Sequence, residues 1–254
     1  MQHVFVDGSF DDWRGAARVL LAGAIHPDNV NWCGTARQRS LFRAKRNHGA
    51  IRNVTVPAAF IELAQAASCF ADRTRWSLLY RVVYRLTFEN RNLLSIESDP
   101  DVRQLHLMAK AVHRDVHKFH AFVRFRRIEC DDKEIFVAWH EPQHFTVEMA
   151  APFFARRFGS MNFSILTPKG CAHWDTDELT FSPPANRSSA PSSDETEDFW
   201  LLYYRSIFNP FRVNVSTMKR ELPVRHWQTL PEARLIPELI REASERNSDS
   251  ECSA

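Results

Sequence analysis

The chain has 254 residues, 33 Lys and Arg against 31 Asp and Glu for a net +2, and 44% hydrophobic residues, so its composition is globular with ample material for a core. Seven glycines, with no G-x-G-x-x-G and no G-x-x-x-x-G-K-[ST], exclude the glycine-rich phosphate loops. Five cysteines, widely separated and never in C-x-x-C, argue against a disulfide framework, a zinc ribbon or a cysteine-held iron–sulfur cluster, and fit a reducing cytoplasm.

The opening "HVFVDGSFDDWRGAARVLLAG" predicts a strand at His3 to Val6, a turn at Asp7 and Gly8, and a helix capped by Ser9 with Asp11 and Asp12 in its first turn. The apolar run Val19 to Ile25 is too short to span a bilayer and follows acids rather than a cationic segment, so neither a signal peptide nor a membrane anchor is expected. From Asn29 to Ile61 there is no acid, while Arg37, Arg39, Arg43, Lys45, Arg46 and Arg52 contribute +6, which reads as a basic loop or arm.

Three helices are expected next, over Pro57 to Phe70, Thr74 to Thr87 and Pro100 to His120. In the third, Leu105, Met108, Val112, Val116 and Phe119 step by three and four, as do Arg103, His106, Lys110, His113 and His117 on another face. Asp101 to Arg127 gathers seven Lys and Arg with only two acids, a local +5. Phe122 to Glu129 and Glu134 to Glu141 then alternate with period two and predict a β-hairpin. "APFFARRF" predicts a helix that Pro152 starts or kinks, and "MNFSILTP" and "CAHWDTDELTFSP" supply further strands.

Residues 182–198, rich in Pro, Ser and acid, predict an exposed, mobile loop. Short helices separated by Pro210, Pro223 and Pro231 should follow, and 246–254 should fray. The expected fold class is α+β: a mainly antiparallel sheet from about residues 121–182, flanked by several helices in a single domain over 1–245. No alternating β–α units are read, which argues against a doubly wound fold.

Three residue sets carry candidate chemistry. The first is cationic: Arg103, Lys110, Arg114, Lys118, Arg124 and Arg126, then Arg205, Arg212, Lys219, Arg220 and Arg225 interleaved with aromatics in "YYRSIFNP" and "KRELPVRHW". Such side chains replace counterions on a nucleic-acid backbone, and Phe122 or Phe125 could offer a stacking face. A solvated face balanced by Asp131, Asp132 and Glu134, with the aromatics (Tyr204, Ile207, Phe208 and Trp227 among their neighbours) in core, explains the same residues. The second set is His140, Glu141, His144, His173 and Asp175, at the ends of predicted strands where acid/base groups are often placed, although turn formation and capping would also use them. The third is His113 with His117, four apart on one helix and so able to share a metal ion. "HRDVH" lacks the glutamate of H-E-x-x-H, and surface histidines are the commoner outcome, so no cofactor or metal is assigned.

The motifs "HKFHAFVRFR", "APFFARRF" with "ILTPKGCAHWD", and "YYRSIFNP...MKRELPVRHWQTLPEARLIPELI", together with the start "VFVDGSFDDW", resemble the DUF4130 family, described as probable DNA metabolism proteins, over about residues 1–243. The resemblance implies a setting in DNA repair or modification, since relatives pair with a radical-SAM protein or are fused ahead of a UdgX-type uracil-DNA glycosylase domain. No such glycosylase domain is expected in this chain, and the C-x-x-x-C-x-x-C of a radical-SAM cluster is not among its motifs. The expectation is a DNA-binding component acting with a radical-SAM or glycosylase-like partner. An enzyme acting on damaged nucleotides, or a protein-binding adaptor, are the alternatives.

Overall fold

The computed structural model describes residues 1–34, 55–130, 133–190 and, further on, 220, 222–230, 233, 235–239 and 241. These belong to two compact units, Met1–Asp115 and Val116 onward. The expected basic arm therefore lies outside the described residues from position 35 to 54.

In the first unit, β1 (Gln2–Val6) runs into α1 (Phe10–Ala22) and returns as β2 (Val30–Gly34), which pairs with β1 in parallel. Local chemistry sets the start of α1. The Ser9 hydroxyl accepts the N–H of Asp12 at 3.1 Å, and Asp12 accepts the N–H of Asp7 at 2.9 Å, so two donors at the helix start are satisfied. Gly8 takes φ +104° in the turn, a conformation that costs a glycine little. α2 (Ala58–Ser68), α3 (Thr74–Phe88) and the first four turns of α4 (Pro100–Phe122) complete the unit. Its core is built on stacked and tilted aromatics, with Trp13 6.2 Å from both Trp32 and Trp76, and Tyr80 donating its hydroxyl to Ile25 O at 2.7 Å.

The end of α3 is clamped to the start of α4 by charge. Arg81 and Arg85 reach Asp101 at 2.7 and 3.0 Å, and Arg85 reaches Asp99 at 2.6 Å. Asp99 also caps α4, its carboxylate accepting the N–H groups of Asp101 and Val102. Pro100, the first helical residue, has no N–H to satisfy there.

The second unit begins with the last turns of α4 and contains β3 (Arg126–Cys130), β4 (Lys133–Trp139), α5 (Val147–Arg157), β5 (Phe163–Leu166), β6 (Cys171–Trp174) and β7 (Leu179–Ser182). The sheet order is β3-β4-β5-β6-β7, antiparallel throughout except for the parallel pair β4 and β5 that α5 bridges. The fold class is α+β. Two points differ from the sequence reading. Parallel β–α–β units exist after all, around α1 and around α5, because two short strands flanking one helix leave no repeating period for the eye to find. Of the two roles read for Pro152, starting or kinking the helix, the first is excluded, because it sits inside α5, which begins at Val147.

Phe163, Ile165, Ala172 and Ala138 line one face of this sheet and bury against Phe154 of α5 and Phe119 of α4. Since side chains alternate across a strand, the register places Arg126, Val137, Ser164, His173 and Thr180 in one row on the other face. The turn from β5 to β6 is held by Thr167, whose hydroxyl donates to Gly170 O at 2.6 Å and accepts the N–H of Lys169. The stretch expected to be a mobile loop starts in β7 and is then anchored: Ala185 N–H donates to Thr167 O, and a 3-10 turn forms at Arg187–Ser189. Its later part, 191–198, lies outside the described residues. No helix among the described residues is long and apolar enough to cross a membrane.

Candidate nucleic-acid interface

α4 separates its two kinds of residue cleanly. Leu105, Met108, Val112 and Phe119 are buried, whereas Arg103, His106, Lys110, His113, Arg114 and His117 are exposed. Among the described residues no carboxylate pairs with Arg103, Lys110 or Arg114, although Arg81 and Arg85 are both engaged by acids. Among the described residues the positive charge on the exposed side of this helix therefore meets no paired acid over about 16 Å, at 1.5 Å rise per residue between positions 103 and 114. Lys118 is half-buried. His113 and His117 share the exposed side one turn apart, and no third ligating side chain joins them among the described residues.

The arginines after α4 are placed differently. Arg124 turns back on the helix end, donating to Ala121 O at 2.7 Å and Val123 O at 3.2 Å, which satisfies carbonyls that the helix leaves open. Arg126 is buried on the sheet face opposite the apolar core, and Arg127 pairs with Glu134 at 2.9 Å. Phe125 packs among Phe154, Phe158 and Phe163, and Phe122 lies beside His226, so neither presents a free stacking face. Of the cationic residues near the C-terminus, Arg205, Arg212 and Lys219 lie outside the described residues, as do Tyr204, Ile207 and Phe208; Arg220 is exposed, and Arg225 sits in the 3-10 turn Val224–Thr229. Trp227 follows the core reading: it is half-buried, packs with Leu230 and donates to Leu222 O.

The histidine and carboxylate set does not converge. His140 is fully buried on the helix side of the sheet, 4.4 Å from Phe119 and stacked on His226 at 5.3 Å with 2° between the rings. Glu141 accepts the indole N–H of Trp139 at 2.9 Å, and His144 is half-buried in the turn that follows. Asp175 shapes the β6–β7 hairpin. Its carboxylate accepts the N–H groups of Glu178 and Asp177, bonds that hold it below the usual carboxylate range. His173, on the opposite face from His140, lies between two hydroxyls, with Nδ1 and Nε2 each 2.8 Å from Ser164 and Ser182. Burial pushes its pKa down, which favours the neutral imidazole, a form that can accept from one serine hydroxyl while it donates to the other.

Sequence reading missed Arg187, Ser164 and Ser182. Arg187 stands over the Trp139 ring at 5.8 Å, and burial followed by the nearby Arg126 charge lowers its pKa against the opposing pull of Glu141. Arg187, Arg126 and Glu141 thus lie near one another on this part of the sheet face. The strand alternation of "NFSIL" could have placed Ser164 opposite the apolar positions; nothing in a Pro/Ser-rich segment announces that Arg187 folds back.

The model of a domain of unknown function, DUF4130, matches residues 73–232, from α3 through the sheet and beyond. The opening motif that also resembles the family lies before that match. No curated protein and no solved structure matches the chain. With well over half of its length matched by that model, the chain belongs to the DUF4130 family.

Proposed function

We propose that this protein is a DNA-binding component of a repair or modification system, holding DNA mainly through its phosphates and acting with a partner, of the radical-SAM or glycosylase kind, that supplies the difficult chemistry. One observation carries the binding reading: Arg103, Lys110 and Arg114 line the exposed side of α4 with no acid paired to them among the described residues. A cationic side chain left without an internal partner is free to displace condensed counterions from a phosphate backbone. Arg124 and Arg126 do not belong to this surface, because one closes the helix end and the other is buried.

Fluorescence anisotropy with single-stranded and duplex DNA over a salt series tests the reading. Log affinity should fall linearly with log salt, and each of Arg103→Gln, Lys110→Gln and Arg114→Gln should lower the slope by roughly one unit. A response that is flat with salt, or a slope unmoved by the triple variant, would refute it.

A second reading, an enzyme acting on damaged nucleotides, draws on His173. A neutral imidazole between two serine hydroxyls can accept a proton, as general base catalysis requires. That reading requires measurable turnover by the purified protein alone.

A further inference from the structure

The exposed side of α4 carries imidazoles among its permanent cations. His106 and His113 are exposed, as are Arg103, Lys110 and Arg114. At 3.6 residues per turn the five side chains fall within one arc of roughly 100°. Residues three and four apart on a helix are surface neighbours, with about 5–6 Å between their Cβ atoms. His106 therefore adjoins both Arg103 and Lys110, and His113 adjoins Lys110.

Neither imidazole is engaged within the protein. Among the described residues no hydrogen bond, ion pair or ring contact reaches His106 or His113. The acids of α4 itself are placed elsewhere: Asp101 is held by Arg81 and Arg85 of α3, and Asp115 is buried. Asp99, at the cap, takes Arg85. Beyond His113 on the helix come His117, which is exposed, and Lys118, which is half-buried.

A neutral imidazole gives a phosphate no charge to pair with, whereas an imidazolium is a cation with two N–H donors. A phosphate within reach favours the protonated form, because opposite charge nearby stabilises the ion. Histidine is also the side chain whose charge changes near neutrality. We propose that His106 and His113 are phosphate ligands of the α4 surface that engage as imidazolium, so that this surface takes up protons as it captures DNA. Arg103, Lys110 and Arg114 hold the strand at any pH, and the two histidines join them when protonated. Binding must then tighten as pH falls, since protons and strand favour the same state of the protein. This rests on the DNA-binding reading above and adds two ligands to its surface.

The test is fluorescence anisotropy of a rhodamine-labelled DNA duplex with the full chain, over a range of pH and salt. Between about pH 8 and about pH 6 the wild-type affinity should rise at least about fivefold, and the slope of log affinity against log salt should steepen by roughly one to two units. The double variant His106→Gln/His113→Gln should match wild type within about twofold at the higher pH and gain less than about twofold at the lower. The double variant His106→Arg/His113→Arg should bind at the higher pH at least as tightly as wild type does at the lower, with a salt slope that no longer changes with pH. Titration calorimetry in two buffers of different ionisation heat counts the protons directly, and wild type should take up about one or more per complex near neutrality. Affinity that depends on salt but stays level with pH overturns the two ligands and leaves the reading of Arg103, Lys110 and Arg114 standing. A pH response that the glutamine variant retains also overturns them, because other groups then take up the protons. Absence of binding at every pH refutes both proposals.

Discussion

Asp99 joins two functions in one side chain. It caps α4 through two backbone N–H groups and takes the Arg85 guanidinium at 2.6 Å in a pocket where it is only 10% exposed. Arg85 is the chief cause of its depressed pKa, and the same pairing raises the arginine. Losing both the cap and the ion pair in Asp99→Ala should cost about 2 kcal/mol, measured by urea unfolding. Because the folded carboxyl sits below its ordinary value of 3.8, this stabilisation is present above that pH and fades as pH falls toward the folded value. The motif "SDPD" marks a helix start in the sequence, but the ion pairs with α3 depend on a loop bringing Asp99 back to Arg85.

α4 shows how far periodicity alone can reach. Its apolar and charged steps were both legible, since a single helix fixes which side chains share a side regardless of what covers it. Leu105→Ala, at a fully buried position, should destabilise by about 2–5 kcal/mol in a denaturant titration, whereas Arg103→Gln should stay within about 0.5 kcal/mol of wild type. Were the charged side chain found to matter as much as the leucine, the exposed face would have a structural partner and the binding argument would weaken. β3 was harder to read. Arg126 alternates as a surface residue should, yet the second sheet face is itself partly covered, and alternation cannot say which faces are open.

For the molecule as a whole, net charge is a poor guide, because +2 spread over 254 residues conceals a local +5. Stability should depend on mildly acidic pH through two half-buried histidines in the second unit. His120 and His173 both have pKa values pushed below 6.5, chiefly by burial. The unfolded chain then binds protons that the folded chain resists, so stability is full above about 6.5 and declines as pH falls from there toward the folded values. Thermal unfolding followed by circular dichroism between pH 7.5 and 5 should show a falling midpoint. A midpoint that holds steady or rises on acidification would contradict neutral burial of these rings.

The starts of α1 and α4, the amphipathic split of α4, the hairpin strands and family membership were all present in local order, since capping, periodicity and motif spacing act over a few residues. Convergence was not. Whether His140 and His173 meet depends on strand parity and on which layer each sheet face adjoins, and they lie on opposite faces. The folding back of Arg187 onto Trp139 and the exposure of Phe145 and Phe153 likewise follow from long-range packing, for which neighbouring residues along the chain carry no signal.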